Sequence, residues 1–155
     1  MTIFFLSNSY SQKMRDGAFP DESDSLYIYA IKEHIKYFKS NPNRYIPYNS
    51  EKEVFYISME NYLQDLPAEI DGFKLVQLWG KNRWDYYKKN NKKLIVLEFI
   101  PLTFENGRFF IDIKEVLTEM KSKRDKVNWI RFAMWTTSYF IFENGKMKFS
   151  ETSVR

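Results

Sequence analysis

The chain has no cysteine. Disulfides, thiolate catalysis and cysteine-held zinc or iron-sulfur centres are therefore excluded, and the composition fits a reducing cytoplasm. A single histidine, His34, rules out a histidine-rich metal site or a histidine pair within the chain. Glycine-rich phosphate loops, nucleophile elbows and metal-ligand spacings are absent too, which argues against nucleotide hydrolysis, serine hydrolysis and zinc chemistry. No cofactor and no metal are expected. The opening Ile3-Phe4-Phe5-Leu6 patch lacks a basic lead and a small-residue cleavage pattern, so it makes a poor signal peptide. The longest apolar-looking run, residues 129–142, carries Arg131 and several polar groups and is too short to span a bilayer. These absences lead to the expectation of a soluble, cytoplasmic protein of bacterial type with no membrane partner.

Aromatic residues are plentiful. Of 155 residues 44% are apolar and 19% aromatic, with fourteen Phe, eleven Tyr and four Trp. One domain over residues 1–155 can bury a core without metals or crosslinks, and disorder over most of the length is disfavoured. The net charge of +4 is unevenly spread: residues 1–77 hold 8 Lys/Arg against 11 Asp/Glu, and residues 78–155 hold 16 against 9. The basic half can pair with the acidic half or face an anionic partner.

Local and long-range signals agree best between Leu94 and Leu117. Asn106-Gly107 is the preferred pair for a type I′ hairpin turn, in which both central residues need positive φ. Counting outward puts Glu105 opposite Arg108, Phe104 opposite Phe109, Leu102 opposite Ile111 and Ile100 opposite Ile113. Strand side chains alternate, so six apolar groups share one face, worth on the order of 10 kcal/mol of gross burial. Pro101 cannot donate to the ladder and must sit at an edge, a bulge or a non-bonded position.

Residues 1–25 read as a loosely held arm or edge strand, followed by a helix over 26–40. There Ile28, Ile31, Ile35 and Phe38 recur at helical spacing, Ser23, Asp24 or Ser25 can cap, and Asn41-Pro42 stops the run. Residues 54–150 read as mostly antiparallel sheet. Val54–Ser58 is a short strand, 59–66 a short helix, and Asp71-Gly72 a turn into a strand from Phe73 that Gly80 breaks. Residues 82–89 are preferred as strand over helix. A charged connection over 121–126 leads to a long strand that turns at Asn144-Gly145, with Phe142 facing Met147 and Phe140 facing Phe149, and the polar end from Ser150 is expected to fray. The fold class is α+β: an N-terminal helix on a curved antiparallel meander.

In its order of elements this layout resembles the NTF2-like and cystatin-like small α+β domains, where a bent sheet and N-terminal helices form a cone with a pocket. The resemblance implies a cavity and carries no function by itself.

Three sets of residues could carry chemistry. On the second face of the hairpin, Asp112 and Lys114 would line a cavity with Trp135 and Tyr139 if the helix covers that side, with Asp112 as general base. The plainer reading is an ordinary solvent face. His34 could serve proton transfer, although a lone helical histidine is more often a satisfied boundary residue. Arg83, Lys88 and Lys89 interleave with Trp84, Tyr86 and Tyr87, supplying cations for phosphates and rings for bases, or simply a solvated loop tip. The expected function is a non-catalytic binding module, recognising a protein partner or small ligand through a bent sheet and an aromatic and basic rim, with an immunity or inhibitor role as one version. The alternatives are a pocket enzyme of NTF2-like type using His34, Asp112 and Tyr139 for proton transfer, and a single-stranded nucleic-acid or RNA binder through residues 81–93.

Overall fold

A computed structural model describes residues 22–41, 53–58, 66–80 and 82–155. The arm expected before residue 22 and most of the short helix expected over 59–66 lie outside them. Helix α1 spans Glu22–Ser40, starting slightly ahead of the expected cap. Tyr27, Ala30, Ile31, His34 and Ile35 form its buried stripe, at the three- and four-residue spacing that a helix needs to bury one side. Past its end, the Asn41 side-chain amide donates to the Tyr37 carbonyl at 2.9 Å, satisfying a carbonyl that the helix leaves open.

Seven strands follow: β1 Val54–Ser58, β2 Glu69–Ile70, β3 Phe73–Leu78, β4 Lys93–Glu105, β5 Arg108–Glu119, β6 Asn128–Glu143 and β7 Lys146–Val154, with helix α2 Arg83–Lys89 between β3 and β4. They form one mixed, mostly antiparallel sheet in the order β2-β3-β1-β4-β5-β6-β7. Three turns behave alike: Asp71-Gly72, Asn106-Gly107 and Asn144-Gly145 all place both residues at positive φ. This backbone shape matches strand twist, and it is why the short polar-glycine pairs stand at the corners of the fold.

Register follows the turns until a bulge intervenes. Glu105 faces Arg108 and Phe104 faces Phe109 as expected, but the ladder slips between Ile100 and Thr103. Pro101 lies in that slip, where a missing N–H costs no ladder bond. Beyond it Ile100 faces Asp112, and Phe99 takes the position opposite Ile113 that was expected for Ile100. The core face therefore carries Phe99, Ile111 and Ile113, all buried, with Leu102 and Phe109 half-buried. The Leu102 N–H donates to the Tyr27 hydroxyl at 2.9 Å, tying the bulge to α1.

Two features depart from a simple meander. β1 runs parallel to both β3 and β4, and parallel neighbours need a crossover connection rather than a tight turn. Residues 83–89 supply it as a helix, which corrects the preference for a strand. Trp84 and Tyr87 are three residues apart, and both pack on a second core formed by Val54, Tyr56, Val76 and Leu94. Asn90 caps the end, and Asn91 and Lys92, both at positive φ, reverse the chain. The polar C-terminal residues do not fray either: β7 pairs as far as Val154 with Thr136, and the Arg155 N–H donates to the Trp135 carbonyl. α1 thus covers one face of the sheet, and α2 covers the other face over β3, β1 and β4, its Tyr87 reaching Thr118 at the end of β5.

Candidate functional site

His34 lies wholly inside, at 0% exposure, rather than at a boundary. Its Nδ1 shares a 2.8 Å hydrogen bond with the Thr136 hydroxyl, and its Nε2 lies 3.3 Å from a Glu115 carboxylate oxygen that is 1% exposed. The Nε2 contact satisfies an ion-pair distance but not hydrogen-bond geometry. The Phe55 ring packs edge-on against the imidazole. Three elements distant in sequence thus meet around one polar cluster under α1, with no surface on which a substrate could land.

Asp112 alternates with Ile111 and Ile113 and so points away from α1. It is 3% exposed and sits in a row between Ile100 and Thr137. Trp135 faces Lys114 and Tyr139 faces Phe110 across the ladder, so all four expected residues share one face. The covering helix, however, is on the opposite side. This separates His34 from Asp112 by the thickness of the sheet and removes them from a common site. Asp112 Oδ1, Trp135 Nε1 and Ser153 Oγ are buried and find no hydrogen-bond partner among the described residues. An open groove of about 540 Å³ runs beside α1 between Tyr29, Lys32, Lys36 and Asp71, and none of the expected catalytic candidates lines it.

The segment around α2 separates its two chemistries. Trp84 and Tyr86 are half-buried against the second core, with Tyr86 edge-on to Tyr56 at 5.4 Å. Lys88 and Lys89 are exposed, while Arg83 is half-buried with its Nε out of solvent. A stacking platform needs rings and cations on one accessible side, and here the rings are spent on the core.

The sequence reading overlooked the first half of β6. Two bulges interrupt its pairing with β5, leaving Ile130 and Ala133 as extra residues. Each bulge shifts alternation by one, so Trp129, Phe132 and Trp135 come onto the face away from α1 at intervals of three instead of two. The Trp129 and Phe132 rings meet edge-on at 5.9 Å. The Lys114 ammonium lies 5.7 Å from the Phe132 ring centre and 4.2 Å from that of Trp135, with the Arg155 guanidinium 5.4 Å from Trp135. Trp129, Ile130 and Phe132 are 59%, 47% and 56% exposed. β7 pairs with β6 only from Thr136 onward, and among the described residues no strand lies outside Asn128–Phe132. One signal was available: Trp129, Ile130 and Phe132 occupy both parities, so no single buried face could take them all.

The chain matches no family model, no curated protein and no solved structure. Among the described residues there is no cluster of three or more metal-ligating side chains and no helix long and apolar enough to cross a membrane.

Proposed function

We propose that this chain is a non-catalytic binding module that recognises a protein partner through the exposed aromatic edge of its sheet. The observation that carries this reading is the run Trp129–Phe132, which sets three large apolar side chains in solvent beside a strand edge that no other strand among the described residues covers. Exposed apolar groups clustered in this way mark interaction surfaces, and tryptophan with phenylalanine brings large contact area at low entropy cost. Arg131, Lys114 and Arg155 surround the rings with cations, in keeping with an aromatic and basic rim. Proton transfer draws less support, since His34 and Asp112 are both buried and lie on opposite faces.

The test is capture from the source cells by the tagged full chain and by a Trp129→Ser/Phe132→Ser double variant, read by mass spectrometry. A partner retained by the wild type and lost by the variant, with unfolding midpoints unchanged, is the expected outcome. Identical capture profiles would remove this edge from the function.

A further inference from the structure

We infer that the outer edge of β6, from Asn128 to Phe132, accepts a short, extended, carboxylate-rich segment of a partner protein as an added β-strand. This rests on the reading of the chain as a protein-binding module and specifies how the partner is held. A strand edge offers a row of backbone donors and acceptors at fixed spacing, and an extended peptide satisfies them in register. Here the edge also carries Trp129 and Phe132 on one face, where they can pack against alternate side chains of the incoming strand.

Charge selects the occupant. Between residues 121 and 132 the chain holds Lys121, Lys123, Arg124, Lys126 and Arg131 against Asp125 as the one carboxylate. All five cations are exposed, and the first four form the connection that leads directly into β6. A peptide with carboxylates on the solvent-facing positions would meet this field along the strand and at its end, which favours encounter and fixes direction. A second copy of the chain would instead bring the same cations against themselves. The bulges at Ile130 and Ala133 interrupt the spacing of the edge and twist it, so the added segment must be short, and the long, flat pairing that stacks identical copies is opposed.

The experiment titrates the full chain with a short peptide of alternating valine and glutamate, reading amide hydrogen exchange and chemical shifts at residues 128–132. Protection of the outward-facing amides is expected. A lysine-for-glutamate peptide, and separately a Lys126→Glu/Arg131→Glu variant with an unchanged melting midpoint, should each bind roughly tenfold more weakly. A peptide methylated on alternate backbone nitrogens should give no protection, since it lacks the donors. Several results would overturn the inference: no shift at millimolar peptide, equal binding of the methylated peptide, protection that grows with protein concentration alone, or displacement of the peptide by oligothymidylate that binds more tightly. If capture of a partner still depends on Trp129 and Phe132 while the peptide protects nothing, the binding-module reading survives and strand addition does not. If both fail, both fall.

Discussion

The two halves of β6 belong to one strand and have opposite fates. From Thr136 to Phe140 it lies beneath α1, flanked by β5 and β7, and Thr136, Thr137, Ser138 and Phe140 are buried. From Asn128 to Phe132 it has β5 on one side and every side chain in solvent. Two threonines and a serine are thus inside beside Phe140, while Trp129, Ile130 and Phe132 stand outside, against what hydropathy suggests. Burial here is decided by what lies over the strand and beside it, and a sequence pattern within the strand cannot report either. The polar residues are tolerated inside because they are engaged, Thr136 with His34 and Ser138 with Thr152; the apolar ones outside are what a recognition surface needs.

The sharpest way to break this contrast is to truncate the same residue type in each half. Phe140→Ala removes a fully buried ring and should cost about 3–5 kcal/mol. Phe132→Ala should stay within about 0.5 kcal/mol. Denaturant midpoints of the pair measure the difference, and comparable losses would mean that the outer half is part of the core. Next in size is the polar cluster that anchors the covered half: Glu115→Ala leaves the buried His34 Nε2 without its polar neighbour and should cost about 1–3 kcal/mol. A His34→Leu/Glu115→Leu double variant should recover part of that, because the imidazole and the carboxylate leave together and only the Thr136 hydroxyl loses its bond. A double variant as unstable as the sum of its single changes would show that the two residues act independently.

Smaller effects probe what frames the contrast. Gly107→Ala and Gly145→Ala place a side chain at φ +79° and +77°, and each should cost about 1 kcal/mol by strain in the turn. Tyr87→Phe, in the second core, removes the 2.6 Å bond to Thr118 and should cost about 1 kcal/mol near neutrality. It also changes the response to alkali. Burial raises the Tyr87 phenol above its ordinary value of 10.0, although the Thr118 bond opposes the rise. Above that value the unfolded phenol loses its proton while the folded one keeps it, so ionisation favours unfolding. The wild-type contribution is complete below pH 10 and falls as pH rises through the folded value, and the Phe variant should show a shallower decline in alkaline unfolding curves.

The helix and the hairpins were readable because their causes are local. Ile31 and Ile35 recur at the helical interval, and Asn106-Gly107 and Asn144-Gly145 fit the backbone of a tight reversal almost irrespective of context. Residue-level register was readable only up to Pro101, since a bulge is one extra residue whose position depends on how α1 draws in the strand through Tyr27. The α2 segment was misread because Trp84, Tyr86 and Tyr87 satisfy strand propensity as well as a helical face; the need to carry the chain over β1 decides between them. For the candidate site, the sequence led to the shared face of Asp112, Lys114, Trp135 and Tyr139 but not to which side α1 would cover.

Turn positions, the buried stripe of α1 and the pairing of Phe104 with Phe109 were determined by the sequence alone, because each depends on neighbours a few residues apart. Tertiary structure decided that β1 lies parallel between β3 and β4, that His34 meets Glu115 and Thr136, and that Trp129 and Phe132 stand on an edge with no further strand among the described residues. Those outcomes depend on chain segments far apart meeting in space, and the energy that selects them is released only when the layers close.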